Sequence, residues 1–310
     1  MRVLITGAAG QLGHALLRSV PASLAGEPVE LIASSRAGGH GVAALDLADG
    51  GACRALVEQI QPDWLINAGA YTAVDQAESE PELVHAVNAG APAAFAKTLQ
   101  ATGGRMLQLS TDFVFNGHQG SPYRPEQAVD PLGVYGTSKA EGERCVLEQL
   151  PGQGRAVVLR TSWVYGPMGR NFLLTMLRLH RERSAVGADL AVVADQVGCP
   201  TSTAGLAAAC WRALALVAQG QAPLPPILHW CDAGVASWYD FAVAIGELGV
   251  AQGVLERAAL VQPITTAHYV TPALRPSYSL LECSGSRAAL GLRPEYWRLA
   301  LTNVLRELKL

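Results

Sequence analysis

The first eighteen residues constrain the fold of this chain more than any other segment. Arg2–Thr6 (RVLIT) is a short apolar run, as expected for a buried parallel strand. It leads directly into the glycine-rich segment 7–13 (GAAGQLG), and residues 15–17 then continue as a helical pattern. A strand, a glycine turn and a helix in this order bring backbone N–H groups up to a pyrophosphate. The alternative is a glycine-rich turn without a ligand. The dinucleotide site predicted here consists of Gly7, Gly10, Gln11, Leu12 and Gly13.

Strand-like and helix-like runs alternate through the first half of the chain. Further strands are predicted at Leu31–Ser35, Trp64–Asn67, Arg105–Ser110 and Ala156–Arg160, with helices at 52–60, 81–102 and 135–149. Repeated β-α-β units produce a parallel sheet that is covered by helices on both faces. We therefore predict an α/β fold, a Rossmann-like doubly wound parallel sheet with a smaller C-terminal substrate-binding part.

The pattern loosens after residue 165, which suggests where the dinucleotide-binding domain ends. We predict this domain at residues 1–165 and a mainly substrate-binding part at residues 166–310, with room for segments of the second part to return to the first. The alanine- and leucine-rich stretch 203–217 is predicted to be a packed amphipathic helix.

A tyrosine–lysine pair occurs in the segment 135–139 (YGTSK). Only three lysines stand against twenty arginines in the whole chain, so an accidental pairing at this spacing is uncommon. Residues four apart share one face of a helix, which lets the Lys139 ammonium lie beside the Tyr135 phenol. A nearby cation favours phenolate and is expected to lower the tyrosine pKa toward neutrality, where the group becomes useful in proton transfer. The alternative is an incidental pair on a surface helix.

Composition excludes several classes of protein. The net charge is −3 without a basic block, which disfavours nucleic acid and anionic membranes as partners. No apolar run is long enough to span a membrane, and no secretory signal is evident at the start. The six cysteines form no C-x-x-C motif and the seven histidines no ligand-spaced pair. These features predict a reduced, cytoplasmic protein without a metal site.

Five sequence blocks together resemble the extended short-chain dehydrogenase/reductase superfamily and, within it, the dTDP-4-dehydrorhamnose reductases. The blocks are 67–75 (NAGAYTAVD), 110–115 (STDFVF), 135–139 (YGTSK), 160–166 (RTSWVYG) and 195–201 (DQVGCPT). Five blocks in family order are far more specific than any one motif, and the resemblance covers nearly the whole chain.

The resemblance implies a reaction and the residues that perform it. A dTDP-linked 4-keto-6-deoxy sugar would accept a hydride at C4 from a nicotinamide, and Tyr135 would donate the proton. Lys139 would favour the phenolate left behind and bond the nicotinamide ribose, and Thr111 would hydrogen-bond the C4 oxygen. Asp112 would bind sugar hydroxyls, with a turn cap as the alternative. Trp163 would form an apolar wall, with a core tryptophan as the alternative.

Two polar residues of the second half are candidates for the nucleotide end of the substrate. Asn171 is one, and Arg275 is the other because its planar guanidinium suits a diphosphate. A solvated surface arginine is the competing interpretation of Arg275.

The end of the second strand predicts the preferred cofactor. A carboxylate there would favour NAD, but the sequence reads Ser34-Ser35-Arg36. Small hydroxyls and an arginine suit a 2′-phosphate, so we predict NADPH, with NADH also open because the family often tolerates both. The residues predicted to hold this phosphate are Ser35 and Arg36. The resemblance implies further cofactor-binding residues at Asp46, Leu47, Ala68, Gly69 and Ala70. For those that line the cofactor with backbone, simple packing at a strand end is the alternative.

The chain departs from the family pattern in two places. The family usually has tyrosine where this chain has Phe113, so a hydroxyl near the substrate is lost. Some members form a dimer bridged by magnesium through three glutamates, which correspond here to Ala15, Ala204 and Arg298. Hard cations need oxygen ligands, so we expect no such bridge and leave a homodimer of another kind open.

Three functions compete at this point. The first is NADPH-dependent reduction of dTDP-4-dehydro-L-rhamnose to dTDP-L-rhamnose, the last step of dTDP-L-rhamnose synthesis. The second is a reductase or epimerase of another nucleotide-linked 4-keto sugar, which the sugar pocket rather than the fold would decide. The third is a regulatory subunit without turnover that resembles the methionine adenosyltransferase β subunit. Consumption of NADPH in the presence of the dTDP-sugar distinguishes the three functions.

Overall fold

The computed structural model describes residues 1–220 and 224–308. Within these residues a sheet of seven parallel strands forms the centre of the molecule. In chain order they are β1 (Arg2–Thr6), β2 (Glu30–Ser35), β3 (Val42–Ala44), β4 (Trp64–Asn67), β5 (Arg105–Thr111), β6 (Ala156–Thr161) and β7 (Ile227–His229). Their spatial order is β7-β6-β5-β4-β1-β2-β3. This arrangement confirms the predicted α/β, doubly wound fold.

Eleven α-helices are present in the described part of the chain. They are α1 (Gln11–Arg18), α2 (Gly50–Ile60), α3 (Val74–Ala77), α4 (Pro81–His85), α5 (Ala91–Thr102), α6 (Val134–Gln149), α7 (Phe172–Ala185), α8 (Thr203–Ala218), α9 (Trp238–Ala251), α10 (Ser284–Leu290) and α11 (Trp297–Leu308). A π-helical turn at Ala86–Gly90 joins α4 to α5, and short 3₁₀ turns lie at Asp112–Val114 and Thr266–His268. Four two-stranded pairs lie outside the main sheet: Ser23–Leu24 with Glu27–Pro28, Val164–Tyr165 with Thr201–Ser202, Leu190–Val193 with Val261–Ile264, and Val197–Gly198 with Ala236–Ser237.

The central strands are buried on both faces, and alternate side chains enter two different cores. Leu4 of β1 packs with the helices α2, α5 and α6 on one face. Its neighbours Val3 and Ile5 pack on the other face, where α1 and α8 lie. Side chains of a strand point alternately to opposite faces, so one apolar run serves both layers.

The second half of the chain builds a third core and also returns to the sheet. Helices α7, α9 and α11 pack around the buried Phe241. By contrast, α8 covers the sheet beside α1, and β7 extends the sheet by pairing with β6. The predicted helix at 203–217 is confirmed as α8, and more than half of its residues are buried. The division of the chain at residue 165 stays a prediction.

Two strands of the sheet were not predicted from the sequence. β3 has only three residues and follows a run of glycines, so its apolar pattern is too short to be recognised. β7 is equally short and comes from the half of the chain where the β-α alternation has ended. Both lie at the edges of the sheet, where one neighbouring strand is enough to hold them.

Candidate active site

A cavity of about 500 Å³ opens at the carboxyl ends of the central strands. In an open parallel sheet this is where ligands bind, since the strand order reverses there and leaves a crevice. The cavity is lined by the turn after β1, by the end of β2, by the segment after β4 and by α6. The predicted residues that line it are Gly7, Gly10, Gln11, Leu12, Ser35, Arg36, Leu47, Ala68, Gly69, Ala70, Tyr135 and Lys139.

The glycine turn brings the backbone close to the cavity. Gly7 has φ +68°, and a Cβ atom there would lie 2.6 Å from the backbone of Gly69, so no larger residue fits. A Cβ at Gly13 would lie 2.3 Å from the Gly7 carbonyl oxygen. Gly13 does not line the cavity; it lets α1 pack tightly against the turn. Gly10 precedes α1 without a side-chain cap, so N–H groups of the first turn stay available to an anion.

The far end of the cavity contains the residues predicted to select the cofactor. Arg36 is exposed, and it makes no hydrogen bond or ion pair with any described residue. The Ser35 hydroxyl accepts a hydrogen bond of 3.2 Å from the Gly38 amide. Leu47 lines the cavity, whereas the Asp46 carboxylate accepts a bond from the Ala48 amide and stabilises the turn before α2. A cofactor contact of Asp46 stays a prediction.

The Tyr135–Lys139 pair lies in the first turns of α6 at the opposite end. Lys139 is 4% exposed, and its Nζ donates a hydrogen bond of 2.5 Å to the carbonyl oxygen of Leu109 on β5. A Cβ at Gly136 would lie 2.2 Å from the Phe113 carbonyl oxygen, so glycine allows α6 to approach the Asp112–Val114 turn. The Phe113 ring meets the Tyr135 ring edge-on at 5.6 Å.

The ionisation of the pair differs from what the sequence predicted. Burial raises the pKa of Tyr135 to about 12; hydrogen bonding with the Thr111 hydroxyl opposes this and the Asp112 carboxylate adds to it. The prediction that the Tyr135 pKa is lowered is therefore wrong in this structure, because loss of hydration is the largest influence on the phenol. Tyr135 stays a neutral phenol at physiological pH, which is the form that donates a proton.

Thr111 and Asp112 lie beside Tyr135 at the end of β5. The Thr111 hydroxyl donates a hydrogen bond of 3.0 Å to Asp112 Oδ1 and accepts one of 3.2 Å from the Phe113 amide. Burial raises the pKa of Asp112 to about 6, against hydrogen bonds from Ser279 and Thr111 that lower it. The Asp112 side chain is thus buried beside the Thr111 and Tyr135 hydroxyls, and its contact with sugar hydroxyls stays a prediction.

Trp163 is held in an unusual conformation near the same end. Its φ is +47°, rare for a bulky residue, and its ring stacks on Trp238 with 3.5 Å between ring centroids. It remains partly exposed, so it is no fully buried core residue. An apolar wall for a sugar stays a prediction for Trp163, whose ring is held by the stacked Trp238.

The two residues proposed for the nucleotide end are engaged inside the protein. The Asn171 side chain caps α7 by accepting a bond from Leu174 and donates to Gln11 Oε1 at 3.2 Å. Arg275 forms an ion pair of 2.8 Å with Asp75 and a hydrogen bond to Thr271. Sequence spacing could not reveal these partners, because Asp75 and Arg275 are 200 residues apart. The structure favours a structural role for Asn171, and the substrate contacts of both residues stay predictions.

The comparisons with known proteins agree with this geometry. The family model described as RmlD substrate binding domain matches residues 1–310. The chain belongs to this family. A dTDP-4-dehydrorhamnose reductase of Aggregatibacter actinomycetemcomitans is 38% identical to this RmlD-family chain over 303 residues, covering 98% of both proteins. A protein of Streptomyces antibioticus named probable dTDP-4,6-dihydroxy-2-methyloxan-3-one 4-ketoreductase is 39% identical over 311 residues, covering 99% of this chain and 96% of that protein.

A solved structure shows the same fold with a nucleotide bound. The dTDP-4-dehydrorhamnose reductase of Bacillus anthracis in complex with NADP has a TM-score of 0.83 and 30% identity, with 99% of each chain covered. Together with the family match, this likeness confirms the resemblance that the five sequence blocks indicated.

Several cavity residues of this RmlD-family chain were missed from the sequence. Ser110 and Thr161 end the neighbouring strands β5 and β6, and both hydroxyls are buried without a hydrogen-bond partner among the described residues. Arg170 adds an exposed positive charge at the rim. A position at the carboxyl end of a predicted strand was a usable signal for Ser110 and Thr161. Nothing in the sequence marked Arg170.

The described residues, 1–220 and 224–308, bear on the metal and membrane predictions. No group of three metal-binding side chains occurs there, and none of the helices is long and apolar enough to cross a membrane. Arg298, one of the three positions that the resemblance assigns to the magnesium bridge, forms an ion pair of 2.8 Å with Glu247. All six cysteines are free thiols.

Proposed function

We propose that this RmlD-family chain is an NADPH-dependent reductase of dTDP-4-dehydro-L-rhamnose and forms dTDP-L-rhamnose, the last step of dTDP-L-rhamnose synthesis. The observation that carries the proposal is one continuous cavity, which runs from the glycine turn to the half-buried Tyr135 and the buried Lys139. The fold therefore offers an anion site at one end and a proton donor at the other. The name of the A. actinomycetemcomitans relative supports the choice of sugar.

The residues present fit a dinucleotide with a 2′-phosphate. The free N–H groups at the start of α1 suit a pyrophosphate, and the end of β2 carries Arg36 and no carboxylate. The unpartnered hydroxyls of Ser110 and Thr161 offer hydrogen bonds inside the cavity. A bound NADPH would supply the hydride for C4 of the sugar.

This chain's own residues then bind the ketone oxygen and protonate it. The Thr111 hydroxyl, which donates to Asp112 Oδ1 in this structure, would turn its proton to the C4 oxygen and help to hold the carbonyl. Tyr135 is a neutral phenol at physiological pH and gives its proton to that oxygen as negative charge develops. Lys139 brings a positive charge toward the phenolate that remains, which favours the proton transfer. Asp112 and Trp163 would hold the sugar ring.

A panel of two dTDP-linked ketones tests the proposal. Purified protein is mixed with NADPH and either dTDP-4-dehydro-L-rhamnose or dTDP-4,6-dihydroxy-2-methyloxan-3-one, the compound in the name of the S. antibioticus relative. We expect NADPH absorbance to fall with the first sugar and the product to be dTDP-L-rhamnose by NMR. If only the second ketone is reduced, that compound replaces dTDP-4-dehydro-L-rhamnose as the substrate. Binding of NADPH without turnover of either sugar would favour the regulatory subunit.

The preference for NADPH is tested at Arg36. A charge-assisted hydrogen bond to the 2′-phosphate contributes about 1.5–3 kcal/mol, so Arg36→Ala should weaken NADPH roughly ten- to a hundredfold. NADH lacks the phosphate and serves as the internal control, since its affinity should hardly change. Dissociation constants of both cofactors on wild type and variant measure the ratio. An equal loss for both cofactors, or none for NADPH, would show that Arg36 does not contact the phosphate.

We further propose that the protein works in the cytoplasm, since six free thiols fit a reducing compartment. A magnesium-bridged dimer is not part of the proposal, because Ala15 and Ala204 carry no oxygen ligand.

A further inference from the structure

A buried ion pair lies beneath the helix that carries Tyr135 and Lys139. Glu143 of α6 accepts two hydrogen bonds from Arg160 of β6, 2.9 Å from Nε and 2.7 Å from Nη2. The side chains are 5% and 2% exposed. Removing two charges from water is expensive, and apolar residues of similar size often stabilise a fold as well as such a pair does. Stability alone therefore does not explain why this pair stands here.

The position of Glu143 relative to Lys139 suggests a different role. Glu143 follows Lys139 by four residues, so the two side chains share one face of α6. The Lys139 ammonium is buried and has only the Leu109 carbonyl oxygen as a hydrogen-bond partner among the described residues. An ammonium in such a place tends to lose its proton. Burial lowers the pKa of Lys139 to about 8, and the charge of Glu143 opposes this shift.

The other charged groups around α6 do not replace Glu143. Asp112, in the turn that packs on α6, raises the pKa of Tyr135. Arg160 has the wrong sign and is directed at Glu143, at the Pro125 carbonyl oxygen and at His229 Nε2. His229 is neutral near pH 7, because burial and then the Arg160 charge lower its pKa to about 3. Among the described residues, Glu143 is the group whose charge acts to keep Lys139 protonated.

We propose that Glu143 is a positioning residue that keeps the Lys139 ammonium charged in its buried site, and that Arg160 holds the Glu143 carboxylate in place for this purpose. The inference rests on the proposed function only for its kinetic consequence. It assigns the alkaline limit of the reaction to Lys139, since the ammonium is lost as the pH rises through its pKa. Without Glu143 that loss would begin at lower pH.

The rarity of lysine makes a direct measurement practical. The chain has three lysines, Lys97, Lys139 and Lys309, so lysine-selective ¹³C labelling gives three side-chain NMR signals to titrate. The main variant is Glu143→Met with Arg160→Met, which removes both charges and avoids an unpaired buried ion. We expect the Lys139 titration midpoint to fall by up to about one pH unit, the size typical of one nearby charge, with the loss of the Arg160 charge offsetting part of the fall. The alkaline limb of the kcat/KM profile should move with it.

Two further variants separate this role from a structural one. Glu143→Asp keeps the carboxylate, so the midpoint of its Lys139 titration should stay close to that of wild type. The matched control removes the exposed pair of the same helix, Arg144→Gln with Glu148→Gln, whose side chains are 58% and 56% exposed. This control should leave both readouts unchanged because water screens that pair.

The proposal is overturned if the folded double variant titrates at the wild-type midpoint, or if the control shifts as far as the double variant does. If the double variant does not fold, Glu143→Gln with Arg160 retained is titrated against the same criterion. The NMR midpoint needs no substrate. If the proposed reduction is not observed, the NMR result for Glu143 still stands. If the midpoint does not move, the proposed reduction is unaffected.

Discussion

Replacing Tyr135 by phenylalanine is expected to lower kcat by about two to four powers of ten, the usual contribution of general acid catalysis. The variant lacks one hydroxyl, and the Phe113 ring that packs edge-on against Tyr135 keeps its contact. NADPH affinity should therefore change little. Single-turnover rates at saturating sugar, together with an NADPH titration, separate the two effects.

The same substitution at a second tyrosine of the cavity is the matched control. Tyr71 also lines the cavity, but its hydroxyl donates a hydrogen bond of 2.7 Å to Glu80. Tyr71→Phe should retain kcat within a few-fold, since that hydroxyl is directed at Glu80. If Tyr135→Phe reduces the sugar at a rate near that of wild type, another group donates the proton.

Replacing Lys139 by arginine should lower kcat/KM by about a hundredfold, the loss expected when a reacting group is displaced by an ångström. The charge is kept, but a broad planar guanidinium replaces a compact ammonium. The Lys139 Nζ lies 2.5 Å from the Leu109 carbonyl oxygen in a side chain that is 4% exposed, so a larger guanidinium would not keep this contact in place. NADPH binding should weaken as well, because Lys139 lines the cofactor cavity.

Lys97→Arg provides the control for this substitution, because Lys97 is exposed on α5 and distant from the cavity lining. Steady-state kinetics and NADPH dissociation constants on both variants make the comparison. Wild-type rate and affinity in Lys139→Arg would remove Lys139 from the site, whatever Tyr135→Phe shows.

The central fold was predictable because local patterns and tertiary structure agree there. The apolar run Arg2–Thr6 becomes β1, and the predicted strand Trp64–Asn67 is observed with the same bounds. These strands are buried on both faces, so hydrophobicity alone marks them. The glycine turn and the Tyr135–Lys139 spacing are also local, and both were placed in one cavity by the fold.

Local sequence patterns could not reveal contacts between side chains from distant parts of the chain. Arg275 was predicted to meet a diphosphate, yet it pairs with Asp75, and Asn171 caps α7. The Tyr135 pKa was predicted to fall and is raised, because the sequence shows the neighbouring cation but not the depth of burial.

The sequence by itself therefore determined the doubly wound sheet, the glycine turn after the first strand and the Tyr135–Lys139 spacing on one helix, because each depends on local sequence patterns. Only the tertiary structure decided the ionisation of Tyr135 and Lys139, the return of β7 to the sheet and the meeting of Glu143 with Arg160. Hydration and charge act through space, so these properties exist only once the chain has folded.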